Sequence, residues 1–341
     1  MDRYTPTVLP LSTMKACLYG EESGDGRSAP SISADRISGA LELRHKPVSS
    51  VRFRSSVLTA GSFDLDPSHP EFESAGQISA PTVVFPKTSV WIQHEHEPAF
   101  ATDFNIVTYY NTGQPYVRQV LAPEGDHCHW FEFSEAVARD VVSLFQPASR
   151  CGALAPFDYV YGPSDRSSYF TQQQVMQYLR RAEAPDVLYV EETMLRVFCR
   201  LVAASYERKA VHLKVPLMCS SKRRELAEDV RFLLATRFAE QLSLREIGEA
   251  VGGSVFHICR VFKTHTGKTI YDYRNELRLR RAVNLLAEAN DLTELALDIG
   301  YYSHSHFTRS FRRAFGATPS EIRRVLRCCS RDQVTSNRSR S

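Results

Sequence analysis

The chain has no stretch of about 18 consecutive apolar residues, the length a helix needs to span a bilayer. Its N-terminus lacks a charged segment leading into an apolar one, so no secretory leader is expected. The reading is a soluble, cytoplasmic protein with no membrane partner. None of the 8 cysteines falls in a Cys-x-x-Cys pair, which removes the usual zinc-finger and redox-dithiol patterns. Scattered cysteines in a reducing compartment behave as small buried hydrophobes, not as a disulfide framework. A Ser/His/Asp grouping, a phosphate-binding loop and a glycine-rich dinucleotide turn are missing too. The chain therefore does not read as an enzyme, and no cofactor is expected.

What is present is a repeat. Ser254-x-x-x-Ile258-x-Arg260-x-Phe262 returns as Ser303-x-x-x-Phe307-x-Arg309-x-Phe311, an offset of 49. Gly267 and Gly316, Thr269 and Thr318, and the pairs Tyr273-Arg274 and Ile322-Arg323 keep the same offset. Upstream, Ile247-Gly248-x-x-Val251-Gly252 answers Leu295-Ala296-x-x-Ile299-Gly300 at an offset of 48, so the second copy has one extra turn residue.

Each copy has the pattern of a helix-turn-helix. Ser243-x-x-Glu246 is a capping box and Asp291-x-x-Glu294 its near relative, each just ahead of a short apolar stripe. Gly252-Gly253 and Gly300 end the first helices, and Ser254 and Ser303 can cap the second ones. In those second helices Ile258, Val261, Phe262, Phe307 and Phe311 fall on the inner face. Phe256, Cys259, Arg260 and Lys263, and Ser305, Arg309 and Arg312, must then face out. A polar, arginine-bearing outer face on the second helix is what reading a major groove requires. Between the copies, residues 269–288 contain no Gly or Pro and predict one connecting helix. Twenty helical residues rise about 30 Å, close to the ~34 Å between successive major-groove faces on one side of a duplex.

The run Gly300-Tyr301-Tyr302-Ser303-His304-Ser305-His306-Phe307 through Arg323 resembles the signature of the AraC/XylS family of bacterial transcription regulators. The likeness covers about the last third of the chain. Carried over position by position, it implies base contacts from Phe256, Cys259 and Arg260 in the first recognition helix. In the second it implies His304, Ser305 and Arg309. Two features depart from the family pattern. Gly248 stands where the family usually packs an alanine, which is expected to loosen the first motif by up to about 1 kcal/mol. Phe256 and Cys259 offer poor hydrogen-bonding edges, so base reading by the first helix rests largely on Arg260.

The net charge of +3 hides a split. Residues 1–221 carry 20 Lys and Arg against 25 Asp and Glu, and residues 222–327 carry 19 against 13. Positive charge gathered on the repeat fits a phosphate-binding surface. Residues 1–47, rich in Ser, Gly and Pro, read as a flexible arm, and residues 329–341 as a flexible basic tail. From Val51 to Phe133, short alternating runs separated by turn signals predict strands: Val51–Val57, Thr82–Phe85, Ser89–Ile92, Asn105–Tyr110 and His129–Phe133. Residues 84–133, with Gly113-Gln114-Pro115-Tyr116 and Gly125-Asp126-x-Cys128, resemble the cupin-like sensor domains of the same family. The inside of such a barrel is the natural effector pocket.

One metal constellation is conceivable there, His94-x-His96 with His127-x-His129, since alternate residues of a strand share a face. Cys128 occupies the place where a cupin's later histidine would stand, and no acid keeps the cupin spacing. The four histidines read as pocket-wall or solvent residues, with no metal. Helices return over residues 171–182 and 187–209, divided by Pro185. Their apolar stripes either cover the chain's own barrel or pair with a second copy. The resemblance favours a homodimer, through Leu188, Met194, Leu195, Phe198 and Leu201. Residues 210–221 read as a linker.

The expected fold is α+β and multidomain. A cupin-like β-barrel or sandwich with a helical appendage (48–209) precedes an all-α domain with two helix-turn-helix motifs (222–328). The expected function is sequence-specific regulation of transcription on double-stranded DNA. An activator is expected, controlled by a small-molecule effector and contacting RNA polymerase, as the family implies. The alternatives are a metal-dependent cupin enzyme with an appended DNA-binding module, and an effector-independent regulator or repressor.

Overall fold

The computed structural model describes residues 49–70, 72, 78–95, 97–146, 155–213 and 220–326. The arm, the basic tail, His96 and half of the linker lie outside the described residues. The described residues form one compact unit, so the sensor and helix-turn-helix portions pack on each other.

Among the described residues, nine strands form in the first portion: β1 (Ser49–Arg54), β2 (Leu58–Leu65), β3 (Thr82–Pro86), β4 (Val90–His94), β5 (Phe100–Ala101), β6 (Ile106–Tyr110), β7 (Tyr116–Val120), β8 (Asp126–Phe133) and β9 (Tyr161–Pro163). They make one sheet ordered β1-β2-β8-β3-β6-β9 and a second ordered β5-β4-β7, every pairing antiparallel. Both sheets end in edge strands, so the architecture is an open sandwich and not a closed barrel. Strand β2 escapes sequence reading because Ala60, Gly61 and Ser62 at its centre are poor strand formers. Close approach explains Gly61: a Cβ there would lie 2.3 Å from the Trp130 ring and 2.5 Å from the Ser50 carbonyl oxygen.

The two sheets enclose Leu65, Phe72, Val90, Ile92, Phe100 and Ile106. The other face of the large sheet presents Val83, Phe85, Phe131 and Phe133 to helices. Three helices follow the strands: α1 (Glu135–Ser143), α2 (Arg166–Arg181) and α3 (Val187–Leu213). Helix α2 starts five residues before the apolar period does, because the Asp165 carboxylate accepts from the Ser168 N–H at 2.9 Å and its hydroxyl at 2.5 Å.

Helix α3 packs most of its apolar stripe within the chain. Met194, Phe198 and Leu201 are buried in the chain's own core, with Phe198 stacked 4.2 Å from Phe133. The apolar face of a half-covered sheet needs a partner, and this stripe supplies it within the chain. Leu195 is half-buried, and Leu188, at 71% exposure, stands clear.

Helix α3 runs four residues past the expected end and α4 (Ser220–Arg237) begins at 220, which leaves only 214–219 between them. The remaining helices are α5 (Leu244–Val251), α6 (Val255–Thr266), α7 (Ile270–Leu285), α8 (Leu292–Asp298) and α9 (His304–Phe315). Residues 319–326 are helical as well, which makes seven helices among the described residues of this portion. The Ser243–Glu246 capping box forms with both of its hydrogen bonds. Gly300 takes a φ of +87° that side-chain-bearing residues avoid, and a Cβ there would lie 2.1 Å from the Ala239 carbonyl oxygen. Gly248 is explained by space: a Cβ would lie 2.6 Å from the Gly253 carbonyl oxygen. Glycine at 248 thus fits this turn, and an alanine would not tighten it.

Candidate nucleic-acid interface

Helices α6 and α9 are the second helices of the two motifs, and their inner faces are set by burial. Ile258, Val261 and Phe262 are buried on α6, as are Phe307, Ser310 and Phe311 on α9. The Ser254 and Ser303 hydroxyls accept from the His257 and His306 N–H groups, at 3.4 and 3.2 Å. Both helices end at a glycine with positive φ, Gly267 and Gly316.

On α6 the outward side carries Phe256, 77% exposed, with Arg260 and Lys263 exposed and Cys259 half-buried. On α9, Ser305, Arg309 and Arg312 are exposed, while His304 is half-buried and its Nε2 lies 3.4 Å from the Thr308 hydroxyl. Among the described residues Arg260, Lys263 and Arg309 make no ion pair, so their charges face solvent. Arg312 lies near Glu321, whose carboxyl is held low first by the Thr318 N–H and hydroxyl and then by this arginine. Sequence reasoning missed Tyr302, 75% exposed just ahead of α9, and the exposed His257 and His306. The two histidines lie on the outward helical period of α6 and α9, which it applied only to part of each turn.

Not all of the basic charge goes to the surface. Arg231 of α4 and Arg278 and Arg280 of α7 are buried. Arg278 donates to the Phe238 and Glu240 carbonyls at 2.7 and 2.9 Å, and burial pushes its guanidinium down to about 10. Gln241 donates to the Gly300 carbonyl at 2.6 Å, joining the start of the first motif to the turn of the second. Helix α7 has 16 residues and rises about 24 Å, short of the expected 30 Å. The separation of the reading helices therefore depends on packing at both ends of α7 as well as on its length.

The sensor histidines do not converge. His94 lies between the sheets against Tyr110, 4.7 Å between ring centroids, and its Nδ1 meets the Gln114 amide at 2.9 Å. Burial pushes it down to about 4. His129, on the helix side of the large sheet, meets the Gln172 carbonyl oxygen at 2.9 Å, and burial followed by nearby Lys87 pushes it down to about 3. His127 pairs with Asp64 at 2.8 Å across β2 and β8, partly exposed. Among the described residues no group of three or more His, Cys, Asp and Glu side chains could hold a metal ion. Between the sheets Arg118 is ion-paired with Asp126 at 2.8 Å and donates to the Phe72 carbonyl at 3.0 Å. The Phe63, Phe72 and Tyr116 rings surround it at 4.7 to 5.9 Å. Arg118 and these rings thus lie in the space between the sheets that the sequence reads as an effector pocket.

Residues 247–325 match the model of a helix-turn-helix domain family. The transcriptional activator RhaS of Escherichia fergusonii is 40% identical over 91 residues, which are 26% of this chain and 33% of RhaS. The chain thus spans about a third of that relative. The regulatory protein SoxS of Escherichia coli K12 is 31% identical over 103 residues, 30% of this chain and 96% of SoxS. The chain belongs to the AraC/XylS family. A crystal structure of ToxT from Vibrio cholerae O395 aligns with 80% of this family member and 99% of its own chain, at 11% identity and a TM-score of 0.31. No described helix is long and apolar enough to cross a membrane.

Proposed function

We propose that this AraC/XylS-family protein is a cytoplasmic transcription activator that reads two adjacent major-groove segments of promoter DNA. The observation that carries the reading is the pair of capped, equivalent helices whose outward Arg260, Lys263 and Arg309 make no ion pair among the described residues. Lys263 and Arg312, toward the C-terminal ends, bind phosphate and set register. Arg260 and Arg309 reach base edges, where an arginine grips guanine O6 and N7. On α6, Phe256 and Cys259 add apolar contact to thymine methyls, and on α9, His304 and Ser305 add polar contact. The two half-sites therefore differ in chemistry. A small-molecule effector acts through the sandwich, and RNA polymerase is the downstream partner, in keeping with the activator role named for RhaS. Homodimerisation uses the exposed start of α3, with Leu188 and Leu195, because Met194, Phe198 and Leu201 are taken up inside the chain.

The test is selection of duplexes by the full chain, followed by affinity measured across salt concentrations. A selected motif with two half-sites about ten base pairs apart, and affinity falling steeply with salt, is expected. Absence of any enriched sequence would overturn the reading.

A further inference from the structure

The helices on which the two motifs are built are tied to one short loop of the sensor. Helix α4 packs on α5 and α6, and α7 runs from the end of the first motif to the start of the second. Residues 101–105, the end of β5 and the loop to β6, meet both helices. From α4, Arg231 donates to the Ala101 carbonyl, and its Nε lies 3.7 Å from the Asp103 carboxylate. From α7, Arg280 donates to the Phe104 carbonyl, and to the Ser164 carbonyl at 2.7 Å. The Tyr273 hydroxyl donates to Asp103 at 2.7 Å, and the Asn105 amide donates to the Tyr273 carbonyl at 3.1 Å. Asp103 holds the loop's own shape by accepting from the Asn105 N–H at 2.7 Å.

These contacts are stiff because they are dry. Arg231, Tyr273, Arg280, Asp103 and Asn105 are all buried. A buried guanidinium whose partners are withdrawn is left uncompensated, so the arrangement has few alternatives nearby in energy. The Glu228 carboxylate completes the set. It accepts from the Tyr161 hydroxyl at 2.6 Å and lies 3.2 Å from Arg231 and 2.9 Å from His265. His265 is in the last turn of α6, and Arg208 of α3 reaches its ring at 3.1 Å. At the other motif, Phe315 ends α9 against Phe170 of α2, with centroids 5.6 Å apart. Both reading helices are thus held at their C-terminal ends, while Phe256, Arg260, Ser305 and Arg309 stay open. On the sensor side, Phe100 and Ile106 flank the loop and are buried between the sheets.

We propose that Asp103 and Asn105 are positioning residues for DNA reading: through Arg231, Tyr273 and Arg280 they fix the separation of the two recognition helices. The sensor then sets which half-site spacing the protein accepts without covering the DNA-facing surface. This rests on the two-segment reading proposed above. The test uses the full chain and duplexes selected by the wild-type protein, with the half-sites at their selected spacing or moved one base pair apart. A lone half-site serves as control. Tyr273→Phe removes only the hydroxyl that meets Asp103, and Asn105→Ala only the amide that meets α7. Both are expected to fold, and thermal unfolding checks this. In each, the preference for selected over shifted spacing should fall about threefold or more toward unity, with lone half-site affinity unchanged. A merely structural role would weaken all duplexes alike. Wild-type spacing preference in both folded variants would overturn the positioning role while leaving two-segment reading intact. Failure of the wild-type chain to distinguish the spacings at all would overturn both.

Discussion

Acid should unfold the sensor sandwich well before ordinary carboxylates titrate, because two histidines are buried in their neutral form. His94 and His129 are fully enclosed, and burial pushes them from 6.5 down to about 4 and about 3. A base whose folded pKa is depressed contributes stability that is present above its unfolded value and is lost as pH falls toward the folded one. Between pH 7 and pH 5 the unfolded chain takes up protons at these sites and the folded chain does not. Each histidine should then cost about 2 kcal/mol, and the pair about 4 kcal/mol. His265, also pushed down by burial, adds to the loss. His127 opposes it, since its bond to Asp64 raises its pKa, but it is partly exposed and its effect is smaller. Asp64 and Glu228, both held low, titrate below this window. Trp91 and Trp130 are the only tryptophans, so urea unfolding followed by their fluorescence reports on the sandwich. His129→Gln keeps a hydrogen-bonding group near Gln172 and should remove about 2 kcal/mol of the pH-dependent loss. A variant that loses as much stability between pH 7 and pH 5 as the wild type would refute the assignment.

Arg309→Ala should weaken specific binding by about 1–3 kcal/mol and relax preference in one half-site, with Arg260→Ala doing so in the other. Binding-site selection with each variant decides between this and phosphate clamping, which would weaken all sequences alike. Gly300→Ala should destabilise the chain by about 2 kcal/mol or more, since both its positive φ and the Ala239 carbonyl forbid a Cβ. Gly248→Ala, a change that helix propensity alone favours by about 1 kcal/mol, should bring no gain in thermal stability, because the Gly253 carbonyl stands in the way. Leu188→Asp should weaken any dimer seen by sedimentation without loss of helicity. Phe198→Asp should instead unfold the sensor, as circular dichroism would show, because Phe198 stacks on Phe133 inside it.

The reading helices were legible because their signals are local. A cap, an apolar stripe and a terminating glycine lie within a dozen residues of one another, and the 49-residue offset repeats them. Ser243 with Glu246, Ser254, Ser303 and Gly300 each do in the fold what their neighbours in sequence imply. Strand β2 was not legible, since Gly61 is required by Trp130, 69 positions away.

By itself the sequence determined that this chain carries two helix-turn-helix motifs and which apolar residues of their second helices face inward. Helical period and capping depend on the nearest few residues and on little else. The tertiary structure alone decided where the remaining apolar and charged side chains go. Helix α3 has the same apolar stripe whether it meets a sheet or a second copy, and only the packed chain places Phe198 on Phe133. Arg231 and Arg280 are held by the Ala101 and Phe104 carbonyls, which lie more than a hundred residues away in sequence. A buried charge is defined by its partners, and partners so distant in sequence meet only in the fold.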